Sequence, residues 1–540
     1  MAITVDPPER ARPAPPPEPS RNDLGTIARG GALNMAGAVL SGALTFVLFI
    51  VLGRGLEPAG YGAFVSAMGL FTILSRTAEL GADTGMTRML ARYRATKRVP
   101  DLRPTVMAAV VPVLAASVVF GAALWLWAPQ LGNAFGKGAG SNQIDDYART
   151  LAWFLPASAV VMVLLSGTRG CGTMIPTNLV DKLFRSALQP VLALGAIWLG
   201  LGTTAIAVAF AGPIALAALW AGVWLMAIVR RNEASAGFTG ARGRHRARRQ
   251  ARPTRTLAGS FWRFTAPRGF AGVFQIVILW INTLLLGRLD STASAGIFNA
   301  ATRYVTAGLM AGVAVQQVMG PKISELLARR EIDRAGVVYQ TATKWLVTMT
   351  WPLYLMFATF SPMLLRVFGA GFEGGETSLI VLGLAMLVAT GVGTVDVVLL
   401  MGGRSSWNLI DTAVALVVGV VLNVVLIPPL GVTGAAIAWA ASILTRNLLS
   451  LAQVGYFMKL HPFGFGYWHA AGAALVSYGG LGLAFRLLGG TSIPVFIAYG
   501  AMASVLYVGL LRRYRFELEL PVMWSELRRY RGGRRSNIAT

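Results

Sequence analysis

Apolar residues along this chain follow neither the alternation of a strand nor the stripe of a surface helix. They come in continuous runs of roughly twenty, broken by short polar or Gly/Pro-rich stretches. A run that long and apolar on every face has no polar side to show to water, so each predicts a helix that crosses a membrane. The runs fall at about 30–53, 61–82, 104–128, 148–168, 176–200 and 203–229, and again at about 264–287, 294–320, 340–368, 377–402, 406–428 and 432–457. Two more follow at about 467–488 and 491–511. Fourteen spans are expected, organised as a lobe of six (26–230), a lobe of six (261–458) and two extra helices (459–512). Residues 1–25, with seven prolines and no apolar run, cannot supply a signal peptide's apolar segment and read as a disordered tail. Residues 231–260 are Arg-rich and read as a linker between the lobes; residues 513–540 form a basic tail.

The stretch from Val51 to Arg94 joins the first two runs by a Gly/Pro hinge, Gly53 to Gly62, and the hinge recurs. At an offset of 234 residues, Leu52, Gly53, Arg54, Gly62 and Phe64 fall on Leu286, Gly287, Arg288, Gly296 and Phe298. Thr204–Ala209 likewise resembles Ala435–Ala440 at an offset of 231. Features repeated in one order at nearly constant spacing indicate a duplicated chain, a common build for membrane transporters.

Composition fixes the solvent: 540 residues, 55 % hydrophobic, 13 % charged and a mean hydropathy of +0.60 are more apolar than a soluble domain can hide. The runs are continuous and rich in Gly, Ala, Leu and Val, so an all-α polytopic membrane protein is expected and not a transmembrane barrel. The net charge of +25 then marks sidedness, not nucleic acid. Even-numbered connections are basic: Arg88, Arg92, Arg94, Lys97, Arg98 and Arg103 in the second, the Arg-rich linker as the sixth, and Lys322, Arg329, Arg330 and Arg334 in the eighth. Odd ones are nearly bare. Both termini are therefore expected in the cytoplasm. Cys171 is the single cysteine, so no intramolecular disulfide forms.

Several short motifs carry a resemblance. Gly53-Arg54 through Tyr61-Gly62, Glu79-Leu80-Gly81, Ser294 to Arg303, Pro321-Lys322-Ile323-Ser324, Leu364 to Gly369, Leu400 to Arg404, and Leu422-Asn423 to Gly434-Ala435-Ala436 together resemble the polysaccharide-transport branch of the multidrug/oligosaccharidyl-lipid/polysaccharide (MOP) exporter superfamily, over residues 28–458. The resemblance implies two six-helix lobes in a V around a central cavity. It implies a flippase that moves a polyprenyl-diphosphate-linked oligosaccharide from the inner to the outer leaflet of a bacterial cytoplasmic membrane, for O-antigen, capsule or exopolysaccharide assembly. Its partners would be that lipid-linked oligosaccharide, membrane lipids and the polysaccharide polymerase and export machinery, with no cofactor and no nucleic acid. The Arg-rich sixth connection and the Pro-rich tail lie outside the family's pattern.

A diphosphate substrate calls for arginine, whose planar fork pairs phosphate oxygens and keeps its charge. An arginine at the bilayer centre costs about 2.5–3.5 kcal/mol on insertion scales, so each intramembrane one needs a reason. Arg303 lies about nine residues into the eighth span, roughly 14 Å deep at 1.5 Å per residue, and is the first candidate for the cavity. Arg268 either joins it or snorkels to headgroups. Arg76 either binds substrate or pairs with Glu79 three residues on. Arg446 pairs with Asp411 or Asp396, as a structural or a coupling group. Asn34 and Gln275, with Asn282, Gln316, Gln317, Asn423 and Asn447, line the glycan path or bond helix to helix. His245, His461 and His469 have no metal-ligand spacing, and neither a catalytic triad nor a nucleotide loop appears. An integral-membrane polymerase or glycosyltransferase would need a large outer loop, and the longest expected here is only 129–147. No enzyme is expected; a cation-coupled small-molecule exporter is the alternative within the same superfamily.

Overall fold

The computed structural model describes residues 21–519 except 139 and 239; the side chains of residues 21–36, and of a few later helical positions including Arg244, Arg248, Pro267 and Gln317, lie outside the description. Most of the expected Pro-rich tail and the basic tail past residue 519 fall outside it too. Residues 21–25 do not belong to a tail: they open the first helix.

Among the described residues every element is helical. α1 (Arg21–Glu79) holds the first two apolar runs and breaks at Glu57, whose φ of 56° and ψ of 171° leave the helical region. Pro58 explains the break, because a residue before proline is pushed out of the helical region and proline then starts the next helix. The expected hinge is therefore present at its expected place. α2 (Ala82–Ala95) follows Gly81, in the left-handed region at φ 74°. Then come α3 (Leu102–Leu126), α4 (Ala128–Phe135), α5 (Ser141–Ala152), α6 (Leu155–Gly170), a π-helical segment Thr177–Arg185 that runs into α7 (Ser186–Trp198), and α8 (Thr203–Ser235).

α9 (Gly240–Gln250), α10 (Thr254–Leu289), α11 (Thr292–Ala328) and α12 (Ile332–Thr359) continue the chain. After α13 (Ser361–Arg366), α14 (Glu376–Gly391) and α15 (Val395–Met401) comes α16 (Ser405–Met458), broken at Gly431 with φ 52° and ψ −127°. α17 (Tyr467–Ala474), α18 (Leu481–Gly489) and α19 (Ile493–Arg513) complete it.

Two expected loops are helical instead. The linker carries α9, because its Arg, Ala and Gln are good helix formers whatever their charge. It is pinned where the Arg252 amide donates to Asp101 Oδ1 at 2.8 Å. The connection at 129–147 holds α4 and the start of α5. Eight helices among the described residues are long and apolar enough to cross a bilayer, nine if the α5–α6 pair, bent by 51°, counts as one span. Two of the eight are the stretches Gly37–Ala95 and Ser406–Met458 that contain the breaks at Glu57 and Gly431.

The repeat becomes a reciprocal contact. A Cβ added to Gly62 would lie 3.1 Å from the amide nitrogen of Gly296, and one added to Gly296 would lie 2.9 Å from that of Gly62. Equivalent positions of the two repeats touch each other, a reciprocal contact of the kind found in isologous interfaces. The neighbouring pair obeys the same rule: Gly53 lies against the Phe368 carbonyl and Gly287 against that of Phe135. Around this junction, the hinge end of the bundle, Tyr61, Phe368 and Phe372 pack edge to face and the Tyr61 hydroxyl donates to Asn299 Oδ1 at 3.1 Å.

The opposite, basic end carries α2, α9 and the start of α12. There the chain does not trail away after α19: residues 514–519 fold back as a strap. The Lys344 ammonium donates to the Glu517 carbonyl at 3.0 Å, the Trp345 indole to the Leu518 carbonyl at 3.2 Å, and the Thr341 hydroxyl to Glu519 Oε2 at 2.9 Å. Leu518 is fully buried, against Val347, Tyr467 and Ala471.

Candidate functional site

A cavity of about 840 Å³ opens at the basic end, between the last turns of α1, the start of α2, α10 and the start of α16. Its polar wall is Arg76, Glu79, Asp83, Thr84, Arg268, Gln275, Asn408 and Thr412. Its flank is apolar and open, for Phe274, Leu279 and Leu409 are 61 %, 65 % and 66 % exposed. Both halves of the chain build it, so it sits on the seam that the repeat creates. A site with a polar wall and an open apolar side can take a molecule with a charged head and a tail that stays in lipid.

Three of the five cavity candidates, Arg76, Arg268 and Gln275, line this space. Arg76 Nη1 lies 3.0 Å from Glu79 Oε2, so its charge is already opposed within one helical turn. Arg268 has no carboxylate partner among the described residues; its guanidinium carbon lies 4.2 Å from the centre of the Phe264 ring. Asn34 lies on the backbone of α1, and its side chain is outside the described residues.

Arg303 is placed differently. It does not line the cavity; it stands on α11, stacked over Phe49 of α1 at 4.2 Å, with Trp280 of α10 at 5.9 Å. Trp280 follows Leu279, which does line the cavity. The Arg303 Nε is buried without a hydrogen-bond partner, and no carboxylate among the described residues pairs with the side chain. The aromatic rings that cradle it were not legible in the sequence, since Phe49 and Trp280 look there like any lipid-facing residue.

The remaining candidates sort by partner. Arg446 Nη2 lies 3.0 Å from Asp396 Oδ2. Asp411 is the other carboxylate considered for Arg446, and it instead accepts from Ser450 Oγ and Gln453 Nε2, each at 2.6 Å, while fully buried. Asn423 donates to Asn282 Oδ1 at 2.5 Å and ties α16 to α10; Asn447 turns back to its own helix, on the Ile443 carbonyl. Cys171, at the end of α6, is buried and its thiol is pushed up by that burial, which makes it a poor nucleophile. No group of three metal-ligating side chains occurs among the described residues.

With this geometry in place, comparison with known proteins is decisive on one point. A sequence model of a family described as polysaccharide biosynthesis protein matches residues 27–327, more than half of the chain. The chain belongs to the polysaccharide biosynthesis protein family. No curated protein matches it significantly. Among solved structures, the lipid II flippase MurJ in an inward closed conformation is similar with a TM-score of 0.65 and 13 % identity, over 92 % of this chain and 99 % of its own. An inward-facing multidrug resistance MATE family transporter of the MOP superfamily gives 0.62 and 18 %, over 80 % and 98 %. A MOP superfamily transporter from Pyrococcus furiosus, described for the reverse polarity of its binding pocket, gives 0.53 and 17 %, over 80 % and 95 %. At these identities the likeness shows the fold. This member of the polysaccharide biosynthesis protein family is a multi-pass, all-α membrane protein with a MOP-superfamily transporter fold, as its motifs implied.

Proposed function

We propose that the protein is a flippase that carries a polyprenyl-diphosphate-linked oligosaccharide from the cytoplasmic to the outer leaflet of a bacterial inner membrane by alternating access, for cell-surface polysaccharide assembly. It does so with fourteen spans in two lobes of six plus two, and with both termini and the basic end in the cytoplasm. The observation that carries this reading is Arg303, an arginine on the seam between the halves that has no carboxylate to neutralise it among the described residues. A structural arginine in a membrane is paired; one held by aromatic faces keeps its fork for an anion. Arg303 lies beside Trp280, and the substrate's head enters through the cavity at Arg268, its glycan along Gln275 and its tail out past Phe274 and Leu409. Alternating access requires both states to hold the diphosphate with comparable strength, since a ligand that strongly preferred one would trap it.

The test is export per molecule of folded transporter. Arg303→Lys keeps the charge without the fork and should export partway; Arg303→Ala and Arg303→Glu should nearly abolish export while lipid-linked oligosaccharide accumulates in the inner leaflet. Wild-type export from a normally inserted Arg303→Ala protein would remove Arg303 from the site.

Asp411 favours a second reading, the cation-coupled small-molecule exporter. It is a buried carboxylate with two neutral donors and no basic partner among the described residues, and an intramembrane carboxylate of that kind marks an ion path. Drug efflux from cells, lost in Asp411→Asn with oligosaccharide export unaffected, would select it.

A further inference from the structure

Arg88 belongs to α2, in the first half of the chain, and Arg268 to α10, in the second. Both stack on one ring. The guanidinium carbon of Arg88 lies 4.1 Å from the centre of Phe264 and that of Arg268 4.2 Å, so the two charges can be no further apart than these distances taken together. Among the described residues, neither guanidinium has a hydrogen bond or an ion pair to satisfy its edge. Two like charges brought this close repel, and the ring's electron-rich face offsets only part of that cost. Water screens the rest at these exposed positions, and a ligand with two anionic groups would offset it more strongly.

Their surroundings favour such a ligand. Arg88 and Arg268 are exposed, and Arg268 is on the wall of the cavity. Asp83 shares that wall, and its Oδ1 already accepts the Thr84 amide at 2.7 Å. The frame is stiff: a Cβ on Gly81 would lie 2.9 Å from both the Thr265 carbonyl and the Gly269 amide, so α2 and α10 meet there backbone to backbone.

We infer that Arg88, Phe264 and Arg268 form an entry clamp at the mouth of the cavity, which takes the diphosphate of an incoming lipid-linked substrate before it reaches Arg303. The clamp rests on the flippase reading and adds to it a first binding step and a new residue, Arg88. Each arginine turns its fork to one phosphate of the pair. Because the arginines come from different halves, the diphosphate bridges the seam while the clamp holds it. A single phosphate cannot satisfy both forks in this way, so the clamp selects a diphosphate over the phosphodiester of ordinary phospholipids.

The experiment titrates geranyl diphosphate, a short soluble probe, into the full-length protein in detergent at low salt. Wild-type protein should bind it. Arg88→Gln and Arg268→Gln should each weaken binding at least tenfold, and Phe264→Ala severalfold, while Phe264→Trp, which keeps a ring face, should restore it. Arg92→Gln, exposed one turn further along α2 and outside the cavity wall, should stay within threefold of wild type. Thermal melts of each variant separate a lost site from a lost fold; should Phe264→Ala melt early, the exposed Arg88→Gln decides alone. Unchanged binding in Arg88→Gln, with loss in Arg303→Ala, overturns the clamp and leaves the flippase reading standing. Displacement of the probe by equimolar dihexanoyl phosphatidylglycerol overturns its selectivity for a diphosphate. Failure of wild-type protein to bind the probe overturns both the clamp and the reading under it.

Discussion

At the scale of single residues, charges in this molecule divide into those answered within the fold and those left open. Arg446 is answered by Asp396. Removing one partner leaves the other alone, whereas replacing both by apolar residues removes the debt. Arg446→Leu should therefore lower the amount of folded protein in the membrane severalfold, and Arg446→Leu with Asp396→Leu should recover most of it, read by fluorescence-detected size-exclusion. Asp411 is answered by neutral donors, and Asp411→Ala should destabilise by about 1 kcal/mol, the scale of buried hydrogen bonds between membrane helices, seen in a detergent thermal melt. Which arginines were answered was only partly legible in the sequence. Spacing three apart revealed Arg76 with Glu79, because that neighbour is local; choosing between Asp396 and Asp411 for Arg446 needed the packing of α15 and α16 against each other. Arg88 was legible as a topological charge and not as a ligand, since only the fold brings it onto Phe264.

At the scale of elements, glycine decides which helices meet and where they bend. Gly62 and Gly296 allow the two halves to touch backbone to backbone, and an added methyl at either would meet main-chain atoms that cannot swing away. Gly62→Ala and Gly296→Ala should each cost about 1–3 kcal/mol, the range for overpacking. Gly195, on α7 with open space around it, is the control: Gly195→Ala should be neutral or stabilise by up to about 1 kcal/mol through helix propensity. Gly431, at φ 52° in the bend of α16, has both problems at once. A Cβ there is strained, and it would lie 3.0 Å from Asp290 Oδ2. Gly431→Ala should cost about 1–3 kcal/mol in the same melt. The hinge at Glu57 was legible because Pro58 marks it; the bend at Gly431 was placed only by the gap between apolar runs. The helical linker, α4 and the start of α5 were missed for one physical reason: a search for spans looks for hydrophobicity, and charge or polarity does not prevent a helix.

At the scale of the whole molecule, the positive-inside pattern predicts sidedness. Reporter fusions at Gly138 and Gly374 should report outside, and those at Gly243 and Gly533 inside; one reversed site breaks the fourteen-span scheme. Deleting residues 1–20 should leave export intact, measured per inserted molecule. The duplicated build was legible at this scale because five residues recur at one spacing, and the structure gives that spacing its meaning in the Gly62–Gly296 contact. The strap was not legible: residues 514–519 read as the start of a basic tail, and only packing against α12 and α17 makes them part of the second half. Its position also sets a clock on biogenesis. Lys344 is nearly buried, and the Glu517 carbonyl that accepts its hydrogen bond is encoded 173 residues later. A ribosome adding roughly 5–20 residues per second leaves that lysine waiting about 10–35 s for its partner. Until Glu517 is made and has reached it, the second half is a nascent chain whose border carries an unanswered ammonium.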